Sequence, residues 1–171
     1  MMFPLIKSNV NVELDVNTNE DNVSVTHILG GTLDIVVNGA TGEGDGIDSN
    51  GSFEMTGGTL VVMGPTKSGN GSLDVNGSAV ITGGTVVMAG ASGMATNFTS
   101  ASQGTTLINT GSQSEGTVIS VKDSSGKEII DVTADCSYQT VLISSPELVL
   151  GNNYTFTAGN YEETIVLEDN I

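Results

Sequence analysis

Residues 44–95 carry the repeat that decides the predicted fold, and they read GDGIDSNGSFEMTGGTLVVMGPTKSGNGSLDVNGSAVITGGTVVMAGASGMA. Within this stretch the block Ile47–Ser52 recurs as Leu73–Ser78, an offset of 26 residues (47 to 73). A Gly-Gly-Thr motif begins at positions 30, 57 and 83, so it recurs after 27 and then 26 residues. Each motif leads into a short apolar run rich in Val and Leu, which is typical of a β-strand. A unit this short cannot bury its own apolar side, so successive units are expected to stack on one another.

The composition around the repeat indicates an all-β chain. The 171 residues include 23 Gly, 3 Pro and no Trp, and apolar residues at helical spacing are missing. Stacked units predict a right-handed parallel β-helix, a solenoid with coils of ~26 residues, over residues 1–112. The alternating residues 9–17 are expected to form its first strand. A run of hairpins in a β-sandwich is the alternative interpretation of the same turn signals.

The texture changes near residue 113, where the repeat ends and Gly becomes rarer. We predict that residues 113–171 form a small C-terminal β-strand domain or cap, with a hairpin turn at Asp123–Lys127. Residues 89–112 are rich in Gly, Ala, Ser and Thr and are expected to be a surface loop leaving the solenoid. The predicted strands of the C-terminal part are 117–122, 128–133, 140–144, 153–157 and 164–168.

The charge balance excludes several classes of partner. The chain has 20 acidic residues against 4 basic ones and a net charge of −16. Nucleic acid binding needs clustered cations, and an anionic membrane surface would repel this chain. The sequence contains no apolar run near the roughly 20 residues that span a bilayer, so membrane insertion is not expected. The single Cys136 excludes an internal disulfide framework.

Three carboxylates recur with the period of the repeat. Asp21, Asp48 and Asp74 are spaced by 27 and 26 residues, so stacked coils would place them in a column about 4.8 Å apart. Glu43 and Asp45 lie in the adjoining Gly-rich corner. A calcium ion, which binds six to eight oxygens, would relieve the repulsion within such a column. The alternative is that these acids only hold turns together or are solvated.

The segment 44–95 resembles a family of bacterial carbohydrate-binding β-helix proteins, both in its motif order and in its GPT, SGNG and SGMA loops. The tail from residue 116 to 157 looks like the C-terminal β segment of that family. Known members bind polygalacturonate with calcium. The resemblance implies calcium between neighbouring coils, with Asp45 and Asp48 matching the motif.

The residues offer little for catalysis. Lyases of β-helical architecture use calcium with a Lys or Arg base, and Lys67 is the only such cation in the repeat region. Lys67 lies in a loop and is interpreted as solvated, and the sole His27 as structural. No active site is predicted.

The functional prediction is therefore non-catalytic, calcium-dependent binding of acidic polysaccharide, with Asp48, Asp74 and Lys67 as candidate contacts. A structural or adhesive cell-surface module is the second hypothesis, and a calcium-dependent polysaccharide lyase is the third. Either binding or adhesion implies an extracellular or cell-surface location. An uncovered first strand would also permit a homodimer through the end of the solenoid.

Overall fold

The computed structural model describes residues 25–37 and 44–171, together with the backbone of residues 5–15. These residues form fifteen β-strands and no helix, which confirms the all-β prediction. The strands are β1 (Leu5–Asp15), β2 (Val25–Val36), β3 (Ile47–Ser49), β4 (Ser52–Met55), β5 (Thr59–Met63), β6 (Leu73–Val75), β7 (Ala79–Ile81), β8 (Thr85–Gly90), β9 (Ser100–Ala101), β10 (Gly104–Gln113), β11 (Val118–Asp123), β12 (Glu128–Thr133), β13 (Tyr138–Ser145), β14 (Asn153–Ala158) and β15 (Tyr161–Val166).

The repeats pair side by side in parallel. In the ladder β2–β5–β8, Leu33 lies opposite Leu60, and Leu60 lies opposite Val86. A second parallel ladder joins β2, β4, β7 and β9, and a third joins β3 and β6. Strand β2 is long enough to pair with both β4 and β5, which follow one another along its edge. The spacing of 26 or 27 residues is therefore the register between neighbouring strands.

The Gly-Gly pairs form the corners between these ladders. Gly58 and Gly84 have positive φ values of 89° and 95°, a backbone conformation that favours glycine. Gly58 also accepts a hydrogen bond of 2.9 Å from the backbone N–H of Thr85 in the next unit. Each corner therefore turns the chain and also contacts the corner stacked on it.

The prediction of a right-handed parallel β-helix is wrong. The nine-stranded sheet is mixed and nearly closed, barrel-like, in the order β10-β13-β8-β5-β2-β4-β7-β9, and β1 joins it antiparallel to β2. Strand β13 pairs antiparallel with β8, and β10 pairs antiparallel with β13. The expected first coil is thus a hairpin-like partner of β2. The repeat contains few units, so strands from outside it pair with the ladder and turn the sheet back on itself.

Residues 89–112 were expected to be a loop, and this prediction is also wrong. They contain β9 and the ten-residue β10. Phe98 is buried, with its ring centroid 6.2 Å from that of Phe53. Gln103 donates hydrogen bonds of 2.8 Å to the carbonyl of Gly84 and to Oγ of Ser144. The small residues of this segment allow close packing at the point where the two ends of the large sheet approach each other.

Two apolar clusters lie on opposite faces of the large sheet. Val86 and Met88 belong to the cluster inside the repeats, whereas Val87 and Ala89 of the same strand face the C-terminal strands. Strand β8 is therefore covered on both faces, which explains its continuous apolar sequence. Each fully buried Val, Leu, Ile or Phe side chain contributes about 1.5–3 kcal/mol relative to exposure.

The five predicted C-terminal strands correspond to β11–β15. Four of them form an antiparallel sheet in the order β12-β11-β14-β15, while β13 joins the large sheet. The hairpin turn at Asp123–Lys127 is confirmed, because the N–H of Asp123 donates to the carbonyl of Lys127 and Gly126 has a φ of 83°. The division into residues 1–112 and 113–171 stays a prediction.

Candidate functional site

The candidate site lies on the two-stranded sheet formed by β3 and β6. Asp48 is directly opposite Asp74 in this parallel pair. Asp48 is exposed and Asp74 is half-buried. Neighbouring strands lie about 4.8 Å apart, and like charges directly opposite each other destabilise a sheet. The structure therefore brings together two of the predicted carboxylates in a position where they repel each other.

Asp45 has a different environment, one turn before β3. Its Oδ1 atom accepts a hydrogen bond of 2.7 Å from the backbone N–H of Gly71, in the unit stacked on it. The backbone N–H of Gly46 in turn donates to the carbonyl of Gly71 over 2.9 Å. The side-chain oxygen of Asn70 accepts a hydrogen bond of 3.0 Å from the N–H of Gly44. One carboxylate oxygen of Asp45 is therefore used to join two turns, as in the alternative interpretation of these acids.

The remaining predicted site residues are not brought together with this pair. Asp21 and Glu43 lie outside the described residues. Lys67 is exposed in the loop between β5 and β6, and it forms no ion pair with any residue in the described ranges. Within residues 25–37 and 44–171, no group of three His, Cys, Asp or Glu side chains is placed to hold a metal ion. Asp48 and Asp74 provide hard oxygen donors of the kind that calcium takes, but only part of a complete coordination shell.

His27 has a partner that sequence reasoning missed. Its Nδ1 atom lies 3.3 Å from Oε2 of Glu54, and the two residues are directly opposite each other in β2 and β4. Both side chains are partly exposed. The offset from 27 to 54 equals the first spacing of the Gly-Gly-Thr motif, so the repeat itself contained the signal for this pair. The contact stabilises a pair of neighbouring strands.

Cys136 is buried and poorly suited to nucleophilic chemistry. Burial, and then the nearby charges of Asp135 and Glu115, raise the pKa of its thiol to about 11. A thiol with so high a pKa holds almost no reactive thiolate at neutral pH. The burial of Cys136 agrees with a structural role.

A second concave surface lies at one end of the four-stranded sheet. Its uncharged lining residues are Ser112, Gln113, Ser114, Thr117, Val118, Thr157, Gly159 and Asn160. Much of its polar surface is already engaged. Gln113 donates to the carbonyl of Thr110 and accepts from the N–H of Asn160, while Thr117 contacts the hydroxyl of Tyr138 at 3.1 Å. We therefore assign this groove a role in packing.

No protein-family model matches the chain, and neither a curated protein nor a solved structure is significantly similar to it. The resemblance to carbohydrate-binding proteins thus stays an expectation based on the motifs in residues 44–95. In the part of the chain that is described, no helix has the length and apolarity to cross a membrane.

Proposed function

We propose that this protein binds acidic polysaccharide of the polygalacturonate type through calcium ions, without cleaving it. The observation that supports this proposal is the pairing of Asp48 with Asp74 in β3 and β6. Two carboxylates held in register at the surface need a cation to neutralise them. The resemblance of residues 44–95 to carbohydrate-binding proteins points to the same ligand and metal.

The charge of the protein makes the cation necessary. At a net charge of −16, the chain repels a polyuronate unless a cation lies between them. Calcium accepts six to eight oxygen ligands in flexible geometry, so two protein carboxylates leave coordination positions for carboxylates of the polysaccharide and for water. Asp45 is held beside the pair by its bond to Gly71, and its second carboxylate oxygen is a further candidate ligand.

A binding role without catalysis agrees with the residues near the pair. Proton abstraction next to a uronate carboxylate requires a base with a matched pKa that is placed close to the metal. Lys67 is the candidate cation in the repeat, and it is exposed in a loop. We assign Lys67 to an auxiliary electrostatic contact with the polysaccharide.

The test is retention of the full chain on insoluble polygalacturonate in millimolar calcium and in chelator. The double variant Asp48→Asn/Asp74→Asn removes both carboxylates. The matched control, Asp131→Asn/Glu162→Gln, makes the same charge change at exposed positions of the four-stranded sheet. We expect binding only with calcium, and a loss of about tenfold or more in affinity for the first variant alone. Equal binding by the two double variants, or binding in chelator, would contradict the proposal.

A structural or adhesive module is the second candidate, and the bond between Asp45 and Gly71 favours it. That bond uses a carboxylate of the acidic segment to join stacked turns. Under this alternative, calcium would leave the unfolding midpoint unchanged. A calcium site present only in the folded state would instead raise the stability by roughly 2.7 kcal/mol at a hundredfold excess over its dissociation constant. A thermal scan with and without calcium separates the two candidates.

A further inference from the structure

The outer edge of β1 is the most exposed pairing surface of the large sheet. Strand β1 has 11 residues, Leu5–Asp15, and it pairs with β2 along its whole length. Among the strands of the described chain, none pairs with the other edge of β1. Every second backbone N–H and C=O group along that edge therefore lacks a partner within the sheet.

Long unpaired edges are usually protected against pairing with another chain. Other edge strands in this protein carry such protection. Strand β9 has only two residues, and β15 carries the adjacent acids Glu162 and Glu163. Strand β1, with the sequence LIKSNVNVELD, contains neither Pro nor Gly. Its length and composition make it suitable for pairing.

We propose that β1 pairs antiparallel with β1 of a second copy of this chain, around a two-fold axis at Val10. Full overlap of two strands that both run from residue 5 to residue 15 fixes this register. The contact is isologous, because each copy presents the same edge to the other. The two large sheets then become continuous across the dimer.

The charges along β1 favour this arrangement. In the proposed register, Lys7 lies opposite Glu13 of the second copy, and symmetry produces this pairing twice. A parallel arrangement would instead place Lys7 opposite Lys7. Moving the antiparallel register by two residues places Lys7 opposite Asn11, or opposite Asp15 with the overlap shortened to residues 7–15. Only the register of full overlap combines opposite charges with complete pairing.

The apolar pattern of β1 agrees with the same register. The even-numbered positions are mostly apolar, and they share one face of the strand. The proposed pairing places Ile6 opposite Leu14 and Val10 opposite Val10. Apolar positions therefore meet apolar positions across the interface, and the face continues from one copy to the other.

The net charge of the protein opposes association, and this opposition gives the dimer a measurable property. Two copies at −16 each repel one another over distances that salt screens, whereas backbone hydrogen bonds at the interface are screened much less. We therefore expect the dimer fraction to increase with ionic strength. Light scattering of the full chain should show an apparent mass that doubles as concentration and salt are raised.

Disulfide cross-linking tests the register, in a Cys136→Ala background. Directly opposite residues in an antiparallel pair have Cα atoms about 4.5–5.5 Å apart, within the range for a disulfide. Val10→Cys should therefore cross-link under mild oxidation. Ser8→Cys is the control, because residue 8 of one copy lies four positions from residue 8 of the other, about 13 Å away. A mixture of Ser8→Cys and Val12→Cys should cross-link, since these positions are opposite one another.

A wild-type chain that stays monomeric at all concentrations and salt levels would overturn the proposal. Equal cross-linking by Ser8→Cys and Val10→Cys would also overturn it, because the contact would then be non-specific. Thermal unfolding of each variant establishes that it is folded. Loss of the Val10→Cys cross-link in denaturant would support pairing in the native state, and its persistence would contradict it.

Discussion

The Oδ1 atom of Asp45 accepts a hydrogen bond of 2.7 Å from the backbone N–H of Gly71, 26 residues further along the chain. The distance along the chain equals the spacing of the repeat, so this bond joins equivalent turns of two stacked units. Gly71 is buried, and its N–H group would lack this acceptor if the carboxylate were removed. The bond makes the acidic turn part of the framework of the fold.

Replacing Asp45 separates this structural role from a role in metal binding. We expect Asp45→Ala to lower the free energy of unfolding by about 1–3 kcal/mol, because it leaves a buried donor without a partner. Asp45→Asn keeps an acceptor oxygen and should cost less. The measurement is denaturant-induced unfolding in chelator. A loss that appears only when calcium is present would instead assign Asp45 to the metal.

Asp48 and Asp74 should repel each other when calcium is absent. In chelator at low salt, we expect Asp48→Asn or Asp74→Asn alone to raise the free energy of unfolding by roughly 0.2–1 kcal/mol. Either substitution removes the same repulsion, so the double variant should gain less than the sum of the two. A double-mutant cycle by chemical denaturation measures this coupling. The gain should shrink at high salt, and a destabilising effect of both single variants would show that the carboxylates are not in repulsive contact.

Glycines at equivalent positions of the repeat should tolerate alanine differently. A Cβ atom on Gly83 would overlap the carbonyl oxygen of Thr56, whereas a Cβ on Gly30 meets nothing within 4 Å. We expect Gly83→Ala to destabilise the protein by about 1–3 kcal/mol through overpacking. Gly30→Ala, the matched control, should change stability by about 0.5 kcal/mol or less. Equal melting temperatures for the two variants would mean that the corners are not stacked as described.

The reactivity of Cys136 reports its burial. Its thiol pKa of about 11 lies well above the usual value of about 8.5, so the native thiolate fraction near neutral pH is on the order of 100-fold lower than for a free thiol. Modification by a thiol reagent should be slow in buffer and fast in denaturant. Comparable rates in both conditions would show that the side chain is accessible.

The same pKa shift predicts how stability depends on pH. The folded protein holds the thiol proton up to about pH 11, whereas the unfolded chain releases it near pH 8.5. Stability from this group is therefore complete below pH about 8.5 and decreases as the pH rises towards 11. Cys136→Ala should remove this part of the decrease, while neighbouring tyrosines keep theirs. Identical slopes for wild type and variant between these pH values would contradict the assignment.

Residue spacing was sufficient to predict the contacts within the repeat. A constant offset places each residue beside its equivalent in the next unit, so the pairing of Asp48 with Asp74 followed from the sequence. The hairpin turn at Asp123–Lys127 was also predictable, because a left-handed Gly and a capping Asp act locally. The same offset contained the contact between His27 and Glu54, which was overlooked.

The sequence by itself determined the β class, the positions of the corners and the register between repeats, since these depend on local conformation and on a fixed spacing. Only the tertiary structure decided which strands complete the large sheet. An alternating strand has the same pattern in parallel and antiparallel pairs, so neither β1 nor β13 reveals its partner in its sequence. The direction of the Asp45 side chain was likewise decided by the stacked loop at Gly71. Long-range packing selects among pairings that local sequence leaves equivalent, and here it selected a mixed, nearly closed sheet over a solenoid.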